Sequence, residues 1–205
     1  MSNIKLVHSG GNSVSLTTPT INPSSNVTFK LPAADGTAGQ VLQTDGNGNL
    51  SWVTPGVAEA DQWRVTANFT VSGVTSINSN WERNDTDFDK VGTGMTESSG
   101  IFTFPSTGIY LIQASFNCES STAQYAGVFI KTTTDNSSYV IRSRQTDSTG
   151  GSSHFSSINT QIMFDVSNVS THKVKFDADS SESVTFRGDS TAQRAGVTFI
   201  RLGDT

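Results

Sequence analysis
The sequence predicts an all-β protein, and three observations carry that expectation. Leucine occurs only seven times in 205 residues, while Ser, Thr, Asn and Gly are abundant; helices draw on Leu, Ala, Glu and Lys, whereas this mixture suits strands and turns. No window keeps a helical period beyond about three turns. Short runs of aromatic and β-branched residues recur instead, bounded by Gly, Asn, Asp or Pro.

Residues 1–60 differ in texture from 61–205. Ile4–Val7 and Val14–Thr17 read as short strands around Gly10-Gly11-Asn12, and Val27–Pro32 as a third. Gln40–Thr44 and Asn49–Val53 flank Asp45-Gly46-Asn47-Gly48, a strong hairpin signal. This segment has too few apolar residues to bury a core alone, and an isolated hairpin is marginal in water. It therefore packs against copies of itself or against a partner.

Thr54-Pro55-Gly56 and the residues to Ala60 read as a linker. Trp63, Val65, Ala67, Phe69 and Val71 alternate with Arg64, Thr66, Asn68 and Thr70, the pattern of one half-buried strand. Ile77–Trp81 and Phe88–Val91 are weaker strands. Ile101–Phe104 and Ile109–Phe116, on either side of Pro105-Ser106-Thr107-Gly108, read as a hairpin. The second run is apolar on most of both faces, as in a central strand. Tyr125–Thr132, Tyr139–Arg144, Ile158–Val166, Val174–Ala178, Val184–Arg187 and Gly196–Leu202 complete the strands, with Thr133–Ser138 and Gln145–Ser153 as exposed polar loops. Strands at this spacing indicate a sandwich or jelly roll.

Three stretches resemble two known families. Gly100, Phe102, Pro105, Gly108 and Tyr110 match the Gly-x-Phe-x-x-Pro-x-x-Gly-x-Tyr signature of the C1q/TNF-like jelly roll, with Ile112 where that family usually has Phe. Gly196–Leu202 resembles its closing strand. The block Leu31–Val53 is similar in order and spacing to a module common in tail-fibre and related structural proteins of bacteriophages. The first resemblance implies a C1q/TNF-like jelly-roll sandwich over 61–205 that associates as a homotrimer, with Tyr110, Ile112, Phe116 and Phe199 in the core or near the threefold axis. No Gly-x-y repeat precedes the domain, which separates it from the animal complement-type architecture. The second resemblance implies a virion protein whose residues 1–60 attach it to the particle.

Charge and composition exclude other classes. The 13 Lys and Arg against 18 Asp and Glu give a net charge of −5 with no basic cluster, so a phosphate-binding face for nucleic acid is not expected. No apolar stretch approaches the roughly 18 residues of a membrane span and no signal-peptide pattern follows Met1; a soluble protein made without Sec export and without membrane insertion is expected. A single cysteine, Cys118, leaves no internal disulfide framework, and oligomerisation is the obvious alternative source of stability.

Catalytic and metal signatures are missing. His8, His154 and His172 lie far apart among polar loop residues and share no ligand spacing. Cys118 reads as a buried or strand-end thiol. Asp85, Asp87 and Asp89 alternate on an extended segment, which suits a calcium ion, but the segment lacks the glycine and bidentate glutamate of a calcium loop. No cofactor is expected, with calcium the one left open. Polysaccharide depolymerases need paired carboxylates in a cleft and usually a repeated β-helix, and neither is present.

The expected function is a non-enzymatic virion protein: a trimeric fibre displaying a C1q-like head for attachment to a host-surface glycan, or a capsid decoration or head-fibre protein bound to the shell. The single module in 1–60 brings the second reading level with the first. Candidate surface-binding loop residues are Asp135, Asn136, Ser137, Thr149, Ser152 and His154, with Tyr125 and Tyr139 as weaker sugar platforms. Candidate virion-attachment residues, for contact with a tail, connector or major capsid protein, are Ile4, Leu6, Val14, Leu16, Phe29 and Leu31.

Overall fold
The computed structural model describes residues 4–17, 19–149 and 154–205, all strand, turn or coil. It divides into two compact units, Met1–Gly56 and Val57–Thr205.

In the first unit, β1 (Ile4–Val7) and β2 (Ser13–Leu16) form an antiparallel ribbon that sets Ile4 opposite Leu16 and Leu6 opposite Val14. A second ribbon joins β3 (Val41–Thr44) to β4 (Leu50–Val53). Its turn is built by Asp45, whose carboxylate accepts the Asn49 side-chain amide at 2.5 Å and the Asn47 and Asn49 backbone N–H groups at 2.8 and 3.1 Å. Those bonds, the Asn49 side chain first, hold the carboxyl below the ordinary aspartate value. Gly48 takes φ +85° with the Thr28 carbonyl against its α-carbon, so no side chain fits there. The strand expected over Val27–Pro32 does not form. Lys30 makes one parallel bridge to Asn49, and the rest of the segment is without ladder partners among the described residues.

The second unit contains β5 (Ala60–Val65), β6 (Phe69–Val71), β7 (Thr75–Ser76), β8 (Trp81–Arg83), β9 (Lys90–Val91), β10 (Thr96–Ser98), β11 (Ile101–Thr103), β12 (Gly108–Ser120), β13 (Tyr125–Thr133), β14 (Val140–Ser148), β15 (His154–Val166), β16 (Lys173–Ser180), β17 (Val184–Phe186) and β18 (Ala195–Gly203). The larger sheet runs β6-β17-β12-β18-β5-β8, with β15 along the other side of β12 and β9 against β5. The smaller runs β10-β11-β16-β13-β14, with β7 against β16. All these pairings are antiparallel.

The two sheets face each other across an aromatic core. Phe102 from the small sheet meets Trp63, Trp81, Phe176 and Phe199, with ring centroids 5.1–5.6 Å apart. Phe104, Tyr110, Ile112, Phe116, Phe186 and Val197 extend the same layer, each no more than 2% exposed. Fully burying such side chains contributes about 1.5–3 kcal/mol apiece. The Tyr110 hydroxyl stays satisfied by Ser106 at 3.0 Å.

Three sequence expectations are corrected here. Ile101–Phe104 and Ile109–Phe116 are not a hairpin: β11 pairs with β10 and β16 in one sheet, β12 with β15, β17 and β18 in the other. Residues 104–107 are the corner between sheets, and Gly108 closes it at φ +143°, where a Cβ would collide with Arg201 and the Gly203 carbonyl. The single strand expected over 63–71 is two, because Thr66 N–H turns aside to the Asn80 carbonyl and β6 joins β17. Arg64, placed by alternation on a solvated face, is 2% exposed, held by Glu82 and Asn84.

Candidate functional site: the open face of the large sheet
Strand β12 buries Tyr110, Ile112, Ala114, Phe116 and Cys118 and turns Ile109, Leu111, Gln113, Ser115 and Asn117 the other way. Its neighbours extend that second face in register. Leu111 stands opposite Met163 on β15 and Ile200 on β18, and Ile200 opposite Ala60 on β5. This makes an apolar band across four strands, in which Met163 is 72% exposed. The next row is amide-rich: Gln161, Gln113, Thr198 and Gln62 lie side by side. Gln113 Nε2 donates to Gln161 Oε1 at 3.0 Å and Gln62 Nε2 to Thr198 Oγ1 at 3.2 Å. A shallow groove of about 610 Å³ lies over this row, with Gln145, Asn159 and Gln193 at its margins and no ionisable side chain in its lining. On one side the band is bordered by the exposed Asp165, opposite Ile109; on the other it meets the uncharged amide row, and an apolar band beside uncharged polar side chains has the composition of an interface core.

The groove presents side-chain amides and hydroxyls for hydrogen-bonded contact. No carboxylate, histidine or thiol lines the groove. Among the described residues no three His, Cys, Asp or Glu side chains converge as metal ligands. Asp89 pairs with Lys90 at 3.6 Å on a residue of φ +59°. Cys118 is buried, and its thiol is pushed up to about 11 by burial and then by the Asp147 charge. His172 is buried rather than loop-exposed, sharing hydrogen bonds with Ser167 and Thr171.

The structure redistributes the residues singled out by sequence. Tyr110, Ile112, Phe116 and Phe199 are at most 1% exposed inside one chain, so they are its core and present nothing to a neighbouring copy. The outward residues between them, Leu111 and Gln113, take the position expected of an interface. Thr149, expected on a loop, is buried with its hydroxyl on the Ala123 carbonyl, and Gln145–Ser148 belong to β14. Ser152 lies outside the described residues, and of His154 only the backbone, which opens β15 opposite Ser120, is described. Asp135, Asn136 and Ser137 form a self-satisfied turn. The Asp135 carboxylate accepts the Thr133 hydroxyl and the Ser137 and Ser138 N–H groups, which hold it far below the usual carboxylate range, and Asn136 sits at φ +59°. Ile4, Leu6, Val14, Leu16, Phe29 and Leu31 are all 65–74% exposed. Sequence reasoning missed Met163 and Ile200, because their place beside Leu111 depends on the β12–β15 and β12–β18 registers.

No protein-family model and no curated protein matches the sequence. Solved TNF-family structures match the fold. Murine APRIL is 15% identical with a TM-score of 0.51, over 70% of this chain and 98% of its own. Eiger TNF from S. frugiperda is 11% identical with a TM-score of 0.56, over 71% of this chain and 93% of its own. Sheet order and these likenesses together define a C1q/TNF-like jelly roll.

Proposed function
We propose that the chain is a non-enzymatic virion protein: a homotrimeric fibre whose residues 1–60 hold it to other particle proteins and whose jelly-roll head is displayed for host-surface attachment. The observation that carries the assembly is apolar surface left in water. On the β1–β2 ribbon, Ile4 and Leu16, and Leu6 and Val14, form facing pairs 65–72% exposed. Covering such side chains yields about 1.5–3 kcal/mol each, which a lone two-stranded ribbon does not obtain. The head's apolar band at Leu111, Met163 and Ile200, beside the uncharged amide row, offers a second surface for a cyclic assembly. The resemblance of Leu31–Val53 to phage fibre modules supports the virion role.

Immunogold electron microscopy of intact particles tests the placement. Label on projecting fibres supports attachment; particles without label refute a virion role. A capsid decoration or head-fibre protein is the second reading, favoured by the single β3–β4 module within this chain, and label distributed over the shell would select it.

A further inference from the structure
The cations of the head fall into two sets. Arg64, Arg83, Lys90, Lys131, Arg187, Arg194 and Arg201 each pair with a carboxylate. Among the described residues of Val57–Thr205, Arg142, Arg144, Lys173 and Lys175 make no ion pair, and all four lie on β14 and β16 of the small sheet. Lys173 is buried and donates to the Val169 carbonyl at 2.7 Å. The others reach solvent. In a chain of net charge −5, this is a local reversal of sign.

Arg144 and Lys175 share the outward side of that sheet. Arg144 stands opposite Phe129, two residues before Lys131, and its guanidinium lies 4.9 Å from the Phe129 ring centroid. Lys175 stands directly opposite Lys131, with its ammonium 4.7 Å from the Tyr139 ring centroid. Like charges facing across strands cost stability. One of them is compensated: Asp177, 2% exposed, takes Lys131 at 2.9 Å and the Ser76 hydroxyl at 2.7 Å. Asp179 is the other carboxylate of this face and is 5% exposed. Lys175 and Arg144 remain, on strands about 10 Å apart across β13, each cation held over an aromatic ring and each reaching solvent.

We propose that this face is a binding site for an acidic saccharide, its carboxylate or phosphate held by Arg144 and Lys175. The proposal rests on the host-attachment reading and names the ligand class for it. A guanidinium over a ring offers paired donors to an oxyanion, and two cations read one or two acidic groups, whereas nucleic-acid binding needs an extended basic face along the phosphate backbone. Neither cation belongs to the open face of the large sheet, so the site stays accessible when that face is covered.

The test uses the full chain and surface plasmon resonance on immobilised polygalacturonate, phosphomannan, dextran and duplex DNA. Binding to at least one acidic polymer and none to dextran is expected, with at least a tenfold loss in the Arg144→Gln/Lys175→Gln double variant and no change in the exposed-pair control Arg194→Gln. Preference between the two acidic polymers identifies carboxylate or phosphate as the group read. No acidic-polymer binding, retention of it by the double variant, or equal binding to DNA overturns the proposal. Host-cell adsorption separates the two readings: wild-type protein that fails to adsorb refutes attachment itself, whereas a double variant that adsorbs normally refutes only this site.

Discussion
Replacing Phe102 with Ala removes the ring at the centre of the sandwich. Phe102 is fully buried and touches Trp63, Trp81, Phe176 and Phe199, which come from both sheets. Loss of a buried Phe costs about 3–5 kcal/mol, with the larger values where the site cannot collapse. Four aromatic neighbours anchored on three strands besides β11 and on the β8 edge leave little room for collapse, and Trp81 is further fixed by its indole N–H on the Ile77 carbonyl at 2.8 Å. Edge-to-face pairs add about 0.5–1.5 kcal/mol each beyond area. A loss near 5 kcal/mol is therefore expected, a large part of the stability of an ordinary domain. Urea unfolding followed by the fluorescence of Trp63 and Trp81 reads it. With an m-value of about 2 kcal/mol/M, the midpoint falls by about 2.5 M. Protomer concentration is held fixed, because assembly shifts apparent stability. Phe155→Ala, at a side chain 71% exposed, is the matched control. A Phe102→Ala midpoint within about 0.5 M of wild type would refute the packing described for the core.

Three further outcomes concern surfaces and chemistry. Leu6→Cys lies on the apolar side of the β1–β2 ribbon and Ser15→Cys on the other; under mild oxidation Leu6→Cys is expected to cross-link between copies and Ser15→Cys is not, as read by non-reducing gels. The natural Cys118 does not interfere, since burial raises its thiol to about 11, and native protein at pH 8 is expected to resist iodoacetamide until it is unfolded. Because that folded value lies above the ordinary thiol value of 9.0, the stability linked to the buried thiol is intact below pH 9 and declines toward pH 11; Cys118→Ala, followed by thermal melts across that range, is expected to flatten the decline.

Local features were legible in the sequence where one segment decides its own structure. The Asp45–Asn49 turn is an example, because its hydrogen bonds run within five residues. The identity of most strands in 101–203 follows in the same way from aromatic and β-branched content. Pairing was not legible. Pro105–Gly108 has the composition of a hairpin turn, yet β11 finds its partner in β16, some seventy positions later, because Phe102 and Phe104 must face the same core as Tyr110 and Phe116 from the opposite sheet. Arg64 read as exposed because its partners Glu82 and Asn84 lie in a segment with weak strand signals. The open face was half visible: alternation alone put Leu111 and Gln113 on one side of β12, while Met163, Gln161 and Ile200 join them only through the registers with β15 and β18. The unpaired cations were hidden for the same reason, since sequence does not show which lysines and arginines meet a carboxylate.

The mass of the purified chain in solution tests the assembly most directly. Light scattering at micromolar concentration is expected to give three times the 21.8 kDa of one chain, and a Leu111→Glu/Met163→Glu variant, which sets charge into the apolar band, is expected to shift that mass downward with the fold retained. A wild-type mass of one chain would contradict a trimer, and with it the assignment of the open face and the β1–β2 ribbon to contacts between copies.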